Sequence, residues 1–394
     1  MEAAANPLSI SISVDLGASL VKAFYQVDGR LGAVAMEPQT LEIPIDSIRD
    51  RKNSAGALNA SLPEDDAWLT YKKRAETGVV LGHLAKQFNI APELKQLKYE
   101  KGSPKLLAVI GAIIQKECLD TSENIEIKVS VLLPYGEYVN REKLERQFKS
   151  EARNYYFRNQ KINLNVEKFV CIPEGGGLIA GLTREKGEEW FAHRSVVVLM
   201  CGHRNTSVLI FDRGSLSRSS QTTDLGFINL VDNVIERTSL NDVSVVTQRV
   251  YELGNDISSD STSLRLLIRS QDSQNVEDEA QQLARVITNT REEYWALIKQ
   301  WLSSVMPKEL DELIIAGGTA YYLKPELDNY LGWAEPSWGA WGGNNEEDDI
   351  KTIFANHPNA DSLALRFKDV YVMHRAMYSK KAKTRSRSSS LKGS

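Results

Sequence analysis

Apolar and polar residues alternate along Leu8-Ser9-Ile10-Ser11-Ile12-Ser13-Val14, a period of two that predicts a strand. Asp15-Leu16-Gly17-Ala18-Ser19 interrupts it as a tight turn, and Leu20 to Val27 predicts the returning strand of a hairpin. A polar, irregular stretch runs from about Arg49 to Glu64. Ser103-Pro104 reads as a cap followed by proline at the first helical position. Leu106, Leu107, Ile110, Ile113 and Ile114 then keep helical spacing. Ile125 to Leu133 predicts a strand ended by Pro134, and Arg141 to Ala152 a charged helix.

Further on, Phe169 to Pro173 is a short apolar strand leading into Glu174-Gly175-Gly176-Gly177 and a helix. Val196 to Leu199 and Ser207 to Phe211 predict a second hairpin around a polar turn, and Gly226 opens a helix through Val234. Apolar residues between Val276 and Trp301 fall at helical spacing and predict a long amphipathic helix. Leu310 to Ala316 predicts a strand, Gly317-Gly318-Thr319 a turn, and the residues to Tyr330 one helix. Trp333 to Gly343 is rich in Trp and Gly, Glu346 to Asp349 is an acidic patch, and Ser362 to Tyr378 predicts a last helix.

Composition narrows the class. A chain of 394 residues with 42% hydrophobic and 25% charged residues is long for one core and suits two lobes. Its formal charge of −4 offers no global field for nucleic acid. Cys118, Cys171 and Cys201 lie far apart beside aliphatic residues and read as reduced core thiols. Without a basic leader or an apolar run of about 20 residues, the expected location is the cytoplasm. His83, His193, His203, His357 and His374 show no metal spacing, although His203 falls in the second turn. Lys380 to Ser394 carries six positive charges and five serines, which predicts a disordered tail. That tail reads either as a solvated terminus or as an arm for an anionic partner such as DNA, a membrane surface or the acidic face of a neighbouring subunit. The Trp333, Trp338 and Trp341 cluster reads as a partner contact or as packing against its own lobe.

The candidate chemistry lies at strand ends. Gly17 lets the backbone approach an anion, Ser19 and Lys22 supply donors for phosphate oxygens, and Asp15 suits a hydrated Mg²⁺. A second polar turn, Cys201-Gly202-His203-Arg204-Asn205-Thr206, joins two apolar strands. Gly317-Gly318-Thr319 stands at a strand-to-helix junction where a nucleotide can lie against the backbone, and Glu174 opens a helix at a strand end.

This order of motifs resembles the actin-like ATPase superfamily, and Ser13 to Lys22 resembles the first phosphate motif in its ParM/StbA form. Ile172 to Gly181 resembles the segment carrying the ParM-type catalytic glutamate, here Glu174; Val196 to Ile210 resembles the second phosphate motif, and Leu313 to Leu323 the adenosine motif. The resemblance implies an α/β, actin-like (ribonuclease H-like) two-domain fold with a nucleotide cleft between the lobes. It divides the chain into residues 1–173, 174–344, a return to the first domain at 345–379, and a tail at 380–394. It implies ATP or GTP with Mg²⁺ as cofactors, with Asp15 holding the metal through water. Gly17, Ser19, Lys22, Gly202, Asn205 and Thr206 grip phosphates in this scheme, and Gly317, Gly318 and Thr319 support the adenosine. Self-association into a head-to-tail filament is implied, as is an adaptor protein bound to plasmid DNA. One departure stands out: the second hairpin of the family begins with an aspartate, and Met200 holds that position here. The rival readings are a cell-shape filament, a non-polymerising ATP-binding scaffold and a small-molecule kinase, the last lacking a separate candidate base.

Overall fold

The computed structural model describes residues 8–54, 62–88, 97–332, 345–355, 357 and 360–378. β1 (Ser9–Leu16), β2 (Val21–Val27) and β3 (Arg30–Met36) form an antiparallel meander. Next come β4 (Thr40–Pro44), α1 (Ile45–Ser54), β5 (Trp68–Thr70), β6 (Thr77–Leu81), α2 (Gly82–Lys86) and α3 (Gly102–Lys116). β7 (Ile125–Leu133), a 3₁₀ turn at Tyr135–Asn140, α4 (Arg141–Glu151), β8 (Tyr155–Phe157), β9 (Gln160–Ile162) and β10 (Leu164–Pro173) complete this half. The main sheet runs β10-β7-β1-β2-β3, with β1 parallel to β7 and β7 parallel to β10. A smaller sheet, β4-β6-β5-β8-β9, stands beside it over a separate cluster containing Ile45, Ile48 and Trp68.

The second half starts with α5 (Gly176–Lys186) and α6 (Glu188–Phe191). β11 (Ser195–Cys201), β12 (Thr206–Asp212), β13 (Ser215–Leu216) and β14 (Gln221–Thr223) follow. Then come α7 (Phe227–Glu236), α8 (Val243–Leu253), α9 (Thr262–Arg265) and α10 (Ser273–Val305). β15 (Glu312–Ala316), α11 (Gly318–Tyr322) and α12 (Lys324–Tyr330) close the half, and β15 lies parallel to β11 in the third sheet. Last are α13 (Asn345–Ile353) and α14 (Ala360–Tyr378).

Among the described residues, three larger apolar layers follow from this order, beside the cluster under the smaller sheet. One packs α3 against the main sheet, through residues such as Ile12, Ile110 and Val129. Another packs α7, α8 and α10 against the third sheet, through Leu199, Leu230 and Ile287. Between the halves, α5 and α14 form a shared layer in which Phe24, Leu178, Val198 and Phe367 meet. Phe24 of β2 sits edge-on to Phe367 and Tyr371 of α14, with ring centroids 5.6 and 4.9 Å apart. The helix returning from the far end of the chain is thereby fixed against the first hairpin.

The structure corrects several local expectations. Arg49 to Ser54 continues α1; Ile45 and Ile48 are its buried anchors, too few to reveal the helix by period. Ser103 is not a cap: α3 starts at Gly102, and the Ser103 hydroxyl donates to Glu151 Oε2 at 2.5 Å. The helix expected after Gly317 is two, broken at Leu323, because Pro325 in the first turn of α12 cannot donate to a continuous helix. Cys118 is exposed rather than in the core. The acidic patch at 346–349 is a partnered helix face, with Glu347 accepting from buried Lys368 at 3.0 Å and Asp349 from Tyr371 at 2.9 Å. The Trp333, Trp338 and Trp341 cluster and the tail at 380–394 lie outside the described residues.

Candidate functional site

The first hairpin places its carboxylate by register. Asp15 on β1 stands opposite Lys22 on β2, and the two form an ion pair. Burial works to raise the Asp15 carboxyl, but Lys22 and Lys98 outweigh it and hold it below its ordinary value. Asp15 Oδ1 is buried with no partner among the described residues. An orphaned anionic oxygen of this kind fits a hydrated cation, so Asp15 would hold Mg²⁺ through water. Ser19, at the exposed tip of the turn, accepts from Arg366 of α14 at 3.0 Å.

Glu174 extends the end of β10, its backbone N–H donating to Leu133 O at 2.8 Å. Its carboxylate forms a buried ion pair with Lys98, a residue in the segment before α3. Burial disfavours the Lys98 charge, yet Glu174 and Asp15 together raise its pKa. One ammonium is therefore held electrostatically between the first turn and the candidate catalytic glutamate. Beside it, Glu137 accepts from the Tyr99 backbone at 3.2 Å and pairs with Arg204 of the second turn, also at 3.2 Å.

Glu174 has a second support. Asp369 of α14 accepts from the Gly175 N–H at 2.6 Å and the Leu178 N–H at 3.1 Å, capping α5 just behind the glutamate. Deep burial, with Asp15 and Glu174 nearby, pushes Asp369 up to about 7.

The second and third turns meet directly. Gly202 O accepts from the Thr319 hydroxyl at 2.7 Å and from Phe227 N at 3.2 Å. Gly317 has φ +98°, and a Cβ there would lie 2.1 Å from Cys201 O. Only glycine permits that approach. Tyr251 of α8 donates to Gly318 O at 3.1 Å and stacks near Tyr322, giving this corner an aromatic wall. Asn205 is buried, and its backbone oxygen closes the turn by accepting from Gly202 N at 2.8 Å. Thr206 is fully buried with its hydroxyl donated to Leu225 O at 2.7 Å, so side-chain contact with phosphate requires that bond to open. Burial pushes His203 down to about 4, with Arg366 and Lys98 adding to the effect, so it is neutral at pH 7.

Met200 belongs to the apolar layer between the halves. Where the resemblance implies a second metal-placing carboxylate, the chain supplies a packed thioether. Sequence reading named Asp15, Lys22 and Glu174 but missed Lys98, Glu137, Arg366 and Asp369. Lys98 and Glu137 lie in segments without a motif, and Arg366 and Asp369 lie on a helix whose period reports only packing.

The fold these elements define is actin-like, and it extends over 93% of the chain. The actin-like protein Alp7A superposes with a TM-score of 0.57 at 13% identity, covering 93% of this chain and 95% of that one. Ta0583, an archaeal actin homolog, gives 0.57 at 12% identity, covering 93% and 98%. The apo psk41 ParM protein gives 0.51 at 11%, covering 93% and 96%, and the Alp12 filament structure 0.51 at 13%, covering 94% and 99%. No protein-family model matches the chain, and no curated protein sequence matches it.

Proposed function

We propose that this chain is a nucleotide-dependent polymerising protein that binds ATP or GTP with Mg²⁺ between its halves and assembles head to tail. The observation carrying this reading is the convergence of Asp15, Lys98, Glu174 and Arg204 where the glycine turns meet. Cations and carboxylates are brought there at a cost in desolvation that core packing alone does not require.

Lys22 and Lys98 attract phosphate oxygens, and backbone N–H groups of the two hairpin turns approach them from opposite sides. Gly317, Gly318 and Thr319 support the nucleoside against Tyr251. Bound Mg²⁺ supplies charge neutralisation at the terminal phosphates. Glu174 orients the attacking water, and for that its carboxylate must be released from Lys98. A ligand gripped by both halves favours their closed arrangement by its differential affinity. A heterologous contact between such subunits does not close, so a filament grows. Filament structures of similar fold, such as that of Alp12, support this part of the reading. Segregation of plasmid DNA through an adaptor, as in ParM-type proteins, is the duty we assign, with the cytoplasm as its place.

The core packing of Met200 favours a second reading, a slowly hydrolysing or stable scaffold filament. Light scattering and electron microscopy with ATP, ADP or no nucleotide, alongside phosphate release, separate the two. Nucleotide-dependent filaments with release identify a dynamic motor, and filaments without release identify a scaffold. Absence of both nucleotide binding and filaments ends the proposal.

A further inference from the structure

The charges of the cleft are nearly all compensated. Lys22 pairs with Asp15, Lys98 with Glu174 and Arg204 with Glu137. Arg366 of α14 is the exception. Its guanidinium carries five N–H donors in a planar fork. Among the described residues its side chain makes one hydrogen bond, to Ser19 Oγ at 3.0 Å, and no ion pair.

Its position adds weight to that imbalance. The Arg366 carbonyl accepts from Lys22 Nζ at 3.1 Å, so both first-turn side chains assigned to phosphate bond to this one residue. Its charge acts on Asp15, on His203 of the second turn and on Tyr251 beside Gly318. The guanidinium therefore touches the first turn through Ser19 and lies within electrostatic range of the second and third. Burial of this half-buried fork outweighs the favourable charges of Glu37 and Asp15 and pulls its pKa down, a desolvation cost that a bound anion would offset. Polyphosphate oxygens match its geometry.

We propose that Arg366 is a phosphate-binding residue of the cleft, exchanging its bond to Ser19 for the terminal phosphates of the nucleotide. The assignment rests on the nucleotide reading above and adds a ligand from the last helix. Asp369, three residues on, caps α5 beside Glu174. One rigid turn of α14 thus joins the phosphate contact to the support of the glutamate.

Calorimetric titration of the full chain with Mg²⁺-ATP, inorganic tripolyphosphate and adenosine tests this. Arg366→Met is expected to lose about tenfold to a hundredfold in affinity for ATP and tripolyphosphate, the scale of a charge-assisted hydrogen bond, with adenosine affinity unchanged. Arg366→Lys keeps the charge without the fork and should fall between; it also decides the matter if Arg366→Met fails to fold. Undiminished binding of ATP and tripolyphosphate by these variants overturns the assignment while leaving the nucleotide reading intact. An equal loss for adenosine also overturns it, marking a structural role. Wild-type protein that binds none of the three ligands removes both claims. Tripolyphosphate binding lost in the variant, with no adenosine binding in wild type, supports the anion site and sinks only the nucleoside.

Discussion

Glu174 meets its surroundings as half of a buried pair with Lys98, and the pairing changes what its removal does. Taking away one partner leaves the other charge buried, at a cost of about 3–5 kcal/mol. Glu174→Ala should therefore lower stability in urea by about that amount, and Lys98→Met added to it should restore part of the loss. Glu174→Gln keeps a hydrogen-bonding oxygen and is the cleaner probe of chemistry: ATP binding should persist while phosphate release falls and polymers last longer. Unchanged release would take Glu174 out of its assigned role. Asp369 sets a pH dependence of definite sign. Its folded pKa of about 7 lies above the ordinary aspartate value of 3.8, so the folded state holds the extra proton. This contribution is fully present below about 3.8 and is lost as pH rises through about 7. His203 and His374, both pushed down to about 4 by burial, act in the opposite sense between about 4 and 6.5. Comparing wild type with Asp369→Asn cancels the histidines: the wild-type advantage should shrink from pH 4 to pH 7, and a flat difference curve would refute the assignment.

Among the elements, the tight contact between the second and third turns makes the sharpest demand on sequence. Gly317→Ala combines positive φ with a Cβ against the Cys201 carbonyl, which should cost about 1–3 kcal/mol or more in thermal or urea unfolding. Gly187 has φ +99° but nothing within 4 Å of a Cβ, so Gly187→Ala should cost less and serves as the control. Equal costs would show that the turn yields. Both hairpins were legible because strand pattern and turn chemistry agree: a period of two before the first turn, and short apolar runs on either side of the second. α1 was not, since Ile45 and Ile48 carry its packing and the rest of the helix is polar. The break at Leu323 was not read from the sequence, although Pro325 two residues on is a local signal for it.

In the whole molecule, the Arg204–Glu137 pair joins the second turn to the 3₁₀ segment of the first half, with both side chains largely buried. Glu137→Ala should loosen the seam and raise the radius of gyration in small-angle scattering, with ligand reversing part of the change. An unchanged radius would show that the shared layer of α5 and α14 holds the halves without it.

β1, β2, β7, β10, β11, β12, β15 and the glycine turns were legible locally, because periodicity and turn residues act over a few neighbours. The actin-like fold came from the resemblance their order carries and is shown by the structural likeness. The occupants of the cleft were decided only in three dimensions. Lys98 meets Glu174 across 76 positions, and Arg366 reaches Ser19 across 347. No local pattern encodes such pairs, since it is the packing of α14 against the first hairpin that brings those charges to one place.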